Sequence, residues 1–421
     1  VGLLVDGLPL GYLAPVDLGI LMKSTEDRAV DYLSASCLRV LRYLALLAAL
    51  LLIQLLCAPV SAVTAEPAAD ALADAQTASD NSAGDAAAEA DSVPEDQLLS
   101  SREQFSVAAK AALLIDLNTN RVVYEQDADE RVYPASLTKI MTCLIALENG
   151  NLSDVVTVSE SALADLDEDS SVAGLVVGEQ MTLENLLYCM MVVSGNDACN
   201  VIAEHVAGSV TDFVRMMNQR AYELGCTNTH FNNPHGLHDE SHYTTARDLA
   251  IITQAALKSE NFRQIVDTYE YKLPDDNMRQ NIPKLKTTNM LIYQSMSNSL
   301  YYPRAHGIKT GYTSQAGRCV ISEATGDGLD LLGIVCGAAT TVLDSGDLLM
   351  ENFTECARLF DYGFDNYSYL TLMSPLYPVD QVKINNSAGA EAVAVAPEDE
   401  IKVLLPNDYD PDQLETKIQL N

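Results

Sequence analysis

Tyr133-Pro134-Ala135-Ser136-Leu137-Thr138-Lys139-Ile140-Met141-Thr142 is the stretch on which the reading of this chain turns. Ile140, Met141, Leu144, Ile145 and Leu147 give a helix-compatible apolar run that Asn149-Gly150 would stop, and Pro134 disfavours helix before Ser136. The spacing predicts a helix from Ser136 to Leu147, and positions three apart share a helix face. The Ser136 hydroxyl and the Lys139 amine would then lie side by side at the helix start. A hydroxyl becomes a good nucleophile only when something removes its proton, and a lysine can do so only when neutral. Burial and a second cation nearby both disfavour the ammonium form, and Lys309 is a candidate for that cation. At a helix N-terminus the unpaired backbone N–H groups also favour developing negative charge, which supplies half of an oxyanion hole.

Two further triplets follow in order. Ser194-Gly195-Asn196 falls between a helical pattern opening at Thr182 and another running from Ala198 to Val206, so it reads as a short connection with polar side chains facing a cleft. Gly307-Ile308-Lys309-Thr310-Gly311-Tyr312-Thr313 reads as a strand. It is followed by a second strand at Arg318 to Ser322, a turn at Thr325-Gly326-Asp327-Gly328, and a third from Leu329 to Val335. Gly311 would let an extended peptide approach the strand edge. Asn118-Thr119-Asn120 marks a hairpin over residues 111–125.

Taken with their flanks, these segments resemble the low-molecular-mass penicillin-binding proteins, and among them the D-alanyl-D-alanine carboxypeptidases of the serine peptidase type. Besides the stretch at 133–142, the resemblance rests on Val193 to Ala198, Asn233-Pro234-His235-Gly236-Leu237, Tyr243 to Asp248 and Gly307 to Thr313, within residues 105–368. It implies Ser136 as the nucleophile, Lys139 as its base, and Ser194 and Asn196 as the proton relay and backbone anchor. Lys309 would add positive charge and Thr310 would bind the substrate's terminal carboxylate. The backbone N–H of Tyr312 would join that of Ser136 in the oxyanion hole. The implied substrate is a peptidoglycan stem peptide ending in D-Ala-D-Ala, with β-lactam antibiotics as covalent inhibitors and no cofactor.

The same resemblance implies an α+β, penicillin-binding and β-lactamase-like transpeptidase fold. An antiparallel sheet flanked by helices and a helical lobe over about 142–255 would form the catalytic domain, residues 105–368. Short strand-like runs at Val379 to Val382, Ala392 to Val395 and Ile401 to Leu405 resemble the opening of a small all-β domain over 369–421, expected to be truncated, after a helix pattern from Leu348 to Phe360. Other activities remain in play: a D,D-endopeptidase would use the same residues, and a non-catalytic wall-binding protein would have lost one of them. A class A β-lactamase needs a Glu-x-x-Leu-Asn base, which is absent between Asn196 and Lys309.

The remaining features bound the setting. A formal charge of −34 over 421 residues argues against nucleic acid as a partner. Leu44 to Leu56 is an apolar run after Arg39 and Arg42 and before small residues, the pattern of a secretion signal cut after Ala62, with an uncut membrane anchor as the alternative. Residues 1–62 are thus read as a leader, with Met22 the expected start, and export would place the protein at the cell wall or the outer face of the cytoplasmic membrane. Residues 63–104, acidic and rich in alanine, read as a disordered linker. Seven cysteines follow the leader, and the neighbours of Cys143, Cys189 and Cys336 are apolar, so most of the seven read as buried thiols and not as a disulfide framework. His235, His238 and His242 lack the spacing of metal ligands. Arg247 and Asp248 are expected to form a structural ion pair near the cleft.

Overall fold

In the computed structural model the described residues are 2–4, 105–164, 166, 170–274, 278, 284–343, 348–378, 380–383 and 392–410. The rest of the leader, with its expected start and cleavage site, the acidic linker and the last eleven residues lie outside them. From Phe105 onward the described residues fall in one compact unit.

Its centre is a five-stranded antiparallel sheet. The strands are β1 (Ala111–Asp116), β2 (Arg121–Gln126), β3 (Ala305–Thr313), β4 (Gly317–Gly326) and β5 (Leu329–Ala338), in the order β2-β1-β5-β4-β3. The turns follow from their residues. Asp327 and Gly328 adopt φ of 54° and 83°, the doubly left-handed pair that a two-residue hairpin loop requires. Asn120 takes φ 58° in the β1–β2 turn, where Asp116 Oδ2 accepts from the Thr119 N–H and hydroxyl.

All six residues of β1 are buried, because both faces of the sheet are covered. Leu113 and Ile115 face a core shared with the helical lobe. Ala112 and Leu114 face a second core closed by α7 (Glu351–Asn366), through Phe353, Cys356, Leu359 and Phe360. A strand covered twice reads as a continuous apolar run without alternation. Burying one such leucine contributes about 1.5–3 kcal/mol.

The lobe contains α1 (Lys139–Asn149), α2 (Leu183–Val192), α3 (Asn196–Ala207) and α4 (Val210–Glu223), followed by α5 (Ala246–Leu257) and α6 (Glu260–Val266). Their starts are legible. Thr182, Ser209, Thr245 and Ser259 each accept from the backbone N–H three residues on, a cap worth about 1 kcal/mol apiece.

The structure corrects two expectations. The helix expected from Leu348 begins at Glu351, because Leu348–Met350 pairs as a strand with Thr340–Val342. Arg247 and Asp248 do not pair with each other, since neighbours on a helix point to different sides. Arg247 binds Glu125 at 2.7 Å and Asp129 at 2.8 Å, while Asp248 accepts from the Asn228 N–H and the Thr229 hydroxyl.

The tail is β-rich: Tyr367–Met373 pairs with Ile401–Pro406, and Asp380–Lys383 with Ala392–Ala396, which also pairs with Gly2–Leu4. The division expected at 368–369 falls inside the first of these strands. The Tyr367 hydroxyl donates to Val123 O at 3.1 Å, and Leu404 joins the second core, so the tail adheres to the β1–β2 side of the sheet.

Candidate active site

Ala135–Thr138 form one turn of 3-10 helix that runs directly into α1, whose first residue is Lys139. The expected α-helical start at Ser136 is therefore tighter than foreseen. A 3-10 turn has three residues per turn and places residue i+3 over residue i, so the motif keeps its function: Lys139 Nζ lies 2.9 Å from Ser136 Oγ.

The backbone leading into the nucleophile is strained. Ala135 holds φ 48°, a left-handed conformation costing about 1–3 kcal/mol outside glycine. The loop carrying His235 and Gly236 packs against this turn. Gly236, at φ 92°, has no room for a side chain: a Cβ there would come 1.8 Å from Ala135 O. Gly236→Ala is expected to destabilise the protein by more than about 2 kcal/mol and to loosen the Ser136 turn, read as a lowered Tm together with slower acylation.

Lys139 is fully buried. Besides Ser136 Oγ, its amine meets Asn196 Oδ1 at 2.7 Å and His235 O at 2.8 Å. Burial disfavours the ammonium and lowers its pKa to about 8, partly opposed by Cys199 and Asp197. The cation expected from Lys309 is not what depresses Lys139. Lys309 is itself buried, and burial first, then the charge of Lys139, drive it well below the ordinary lysine value. Its amine donates to Thr310 O at 2.9 Å. Burial and the neighbouring amine thus both work against the positive charge expected of Lys309.

The second triplet sits between α2 and α3 as expected. Ser194 adopts φ 62° and is buried, and Asn196 opens α3. Asp197, to which the sequence assigned no role, anchors the wall opposite β3. Its carboxylate accepts from the N–H groups of Ala173 and Leu175 at 2.9 and 3.0 Å. The third triplet lies on β3, at the open edge of the sheet. Gly311 is bare because the turn carrying Ser136 presses on it, and a Cβ would come 3.0 Å from Ser136 N. The close approach that this glycine permits is therefore made first by the protein's own nucleophile turn.

These elements enclose a cavity of about 300 Å³. Ser136, Ser194, Asn196, Thr310, Gly311 and Tyr312 all line it, and Lys139 and Lys309 lie buried beneath. Its wall also includes residues the sequence reading passed over: Ser170, Ser171, Thr288, Arg318 and Asn352. Thr288 Oγ1 lies 2.6 Å from Thr310 Oγ1. The histidines are occupied otherwise than as ligands. His235 and His242 are pushed down to about 3 and 4, chiefly by burial, and His242 Nε2 lies 2.9 Å from Thr138 Oγ1. All seven described cysteines are free and buried, and burial pushes the Cys199 thiol up to about 12.

A serine and a buried amine at a strand edge, with a hydroxyl and an amide opposite, form a serine acyl-transfer site. The D-alanyl-D-alanine carboxypeptidase family model matches residues 98–340, more than half of the chain. The chain is 37% identical over 284 residues to the D-alanyl-D-alanine carboxypeptidase DacF of Bacillus subtilis, covering 66% of this chain and 67% of that one. It is 31% identical over 318 residues to DacC of Escherichia coli, covering 72% and 74%. Among solved structures, penicillin binding protein 5 from Haemophilus influenzae superposes with a TM-score of 0.58 at 29% identity, over 72% of this chain and 84% of that one. A Streptomyces DD-transpeptidase gives 0.55 at 29% identity, over 62% and 99%. The chain belongs to the D-alanyl-D-alanine carboxypeptidase family and is a serine-type D-Ala-D-Ala carboxypeptidase of the penicillin-binding-protein fold. Membership implies D-Ala-D-Ala peptide substrates and β-lactam binding, in a family of extracytoplasmic cell-wall enzymes.

Proposed function

We propose that the enzyme removes the terminal D-alanine from peptidoglycan stem pentapeptides through an acyl-enzyme on Ser136. The observation that carries this reading is the set of contacts around Lys139. A neutral amine has two N–H bonds and one lone pair. The Asn196 and His235 carbonyl oxygens take both N–H bonds, which leaves the lone pair for the Ser136 hydroxyl proton.

The steps follow from this arrangement. Ser136 Oγ attacks the carbonyl carbon of the penultimate D-alanine while its proton passes to Lys139. The resulting oxyanion is held by the N–H groups of Ser136 and Tyr312. The C–N bond then breaks as Ser194 relays the proton to the departing amine of the terminal D-alanine, with Asn196 holding the substrate backbone. Water, giving a proton to Lys139, adds to the ester and frees the shortened stem and the serine. Thr310 binds at the carboxylate end of the substrate, with Gly311 and Tyr312 lining the groove.

Residues 105–368 are proposed as the catalytic domain and 369–421 as a β-rich domain following it. The leader would export the chain to the cell wall or the outer face of the cytoplasmic membrane. With no Glu-x-x-Leu-Asn base between Asn196 and Lys309, deacylation of penicillin is expected to be slow. The test is D-alanine release from an N-acetylated pentapeptide, with mass spectrometry of penicillin-treated protein. Release together with an adduct on Ser136 persisting for many turnover times supports the reading. An adduct without release would point to cross-linked substrates, and the absence of any adduct would refute the assembled site.

A further inference from the structure

The turn that carries Ser136 does not hold its own shape. Pro134 before it offers no side-chain cap, and Ala135 sits in the strained left-handed region. Its form has to be imposed by neighbours. On one side β3 presses on it at Gly311. On the other lies the irregular segment 230–243, closed at its ends by reciprocal backbone hydrogen bonds between His230 and Tyr243. Three bridges cross from this segment to residues 138–142. The Lys139 amine donates to His235 O, the Thr142 hydroxyl donates to Pro234 O at 2.6 Å, and His242 Nε2 lies 2.9 Å from Thr138 Oγ1. The first two end on backbone carbonyls, which any residue supplies. The third depends on a particular side chain.

The direction of that third bridge follows from the other ring nitrogen. The Asn232 N–H donates to His242 Nδ1 at 3.2 Å. A ring nitrogen that accepts carries no proton, so the proton of the neutral imidazole is on Nε2 and donates to Thr138 Oγ1. Burial pushes the ring down to about 4, which keeps this tautomer in place in neutral solution. His242 and Thr138 are 2% and 1% exposed, so water does not compete for the bond. The ring is held from behind as well. Phe231 meets it edge to face at 5.5 Å, and Asn218 on α4 clamps Phe231 by accepting from its N–H and donating to its carbonyl, both at 2.8 Å. A continuous line of contacts thus runs from α4 through Phe231 and His242 to Thr138, which stands between Ser136 and Lys139 in the motif.

We propose that His242, donating through Nε2 to Thr138, is a positioning residue for acylation, fixing the nucleophile turn so that Ser136 Oγ and Lys139 Nζ keep their 2.9 Å contact. The inference rests on the reading of Ser136 as the acylated serine. His242 touches neither substrate nor a reacting atom, and no proton leaves it during the reaction. Its contribution is geometric, and a misplacement of about 1 Å between reacting groups costs on the order of 100-fold in rate.

The test is single-turnover acylation by a β-lactam, read as the saturating rate constant and the half-saturating concentration. Rates are counted per site able to form the Ser136 adduct, so misfolded protein does not enter. His242→Phe keeps a ring against Phe231 but removes both hydrogen bonds. It is expected to slow the saturating rate about 10–100-fold and to leave the half-saturating concentration unchanged. His242→Gln, whose amide N–H can replace Nε2–H, should recover most of the rate. Thr138→Val, of the same size without the hydroxyl, should match His242→Phe, and the double variant should lose no more than either single one, because both remove the same bond. Should His242→Phe form no adduct, Thr138→Val carries the test by itself. A wild-type saturating rate in Thr138→Val, a loss confined to the half-saturating concentration, additive losses in the double variant, or a His242→Gln as slow as His242→Phe would each overturn the assignment while leaving the carboxypeptidase reading intact. Failure of wild type to form an adduct on Ser136 would overturn that reading, and this inference with it.

Discussion

Ser136→Ala is expected to lower D-alanine release by about 10⁴-fold or more and to remove the penicillin adduct altogether, while leaving the fold in place. The loss is large because covalent catalysis has no second nucleophile in reach. On the cavity wall the other hydroxyls, Ser194 and Thr310 among them, lack the Lys139 contact. What remains in the variant is binding and whatever the oxyanion donors contribute to attack by water. The fold should tolerate the change because Ser136 is only partly buried, and Lys139 keeps the Asn196 and His235 oxygens when the hydroxyl goes. Thermal unfolding beside D-alanine release separates the two effects. A variant that still forms a stable adduct would place the nucleophile elsewhere, and one that unfolds early would make the loss uninformative about chemistry.

The sequence disclosed most of what positions that serine. The order of the three triplets, the Asp327-Gly328 turn and the helix start at Thr182 are local signals, and the structure follows them because turn and cap chemistry act within a few residues. Less legible were contacts made by backbone atoms or across long separations. The oxygen of His235 that holds Lys139 is a carbonyl, which every residue carries, so nothing in the side chain at 235 announces it. Asp197 drew no reading from the sequence, because its grip on Ala173 and Leu175 depends on a loop over twenty positions upstream. Arg318 reads as an ordinary strand residue until its pairing with Tyr312 brings it to the cavity. The burial of Lys309 was illegible for a related reason: the motif shows a lysine, whereas its burial is a property of the assembled sheet and lobe.

The pH dependence of acylation follows from the same burial. Lys139 acts as a base only when neutral, and its pKa is lowered to about 8. Below that value each unit of pH should cut the neutral fraction, and with it kcat/KM, about tenfold. Above it the rate should level off, so the profile is a rising limb bending near pH 8. An unperturbed lysine would place the bend near 10.5, about 2.5 units higher. Few other groups compete for the assignment. His235 and His242 are held neutral throughout this range, and Asp330, raised to about 7 by burial and by Glu323, is not part of the cavity wall. An N-acetylated substrate without a free amine removes the remaining ambiguity. Lys139→Arg should then cost about 10³-fold or more, because a guanidinium keeps its proton throughout, and the rising limb should vanish with it. A variant that lost activity yet kept a bend near pH 8 would show that another group titrates in the acylation step. Lys139 would then be left with a positioning role, holding Ser136 against Asn196 and the His235 carbonyl.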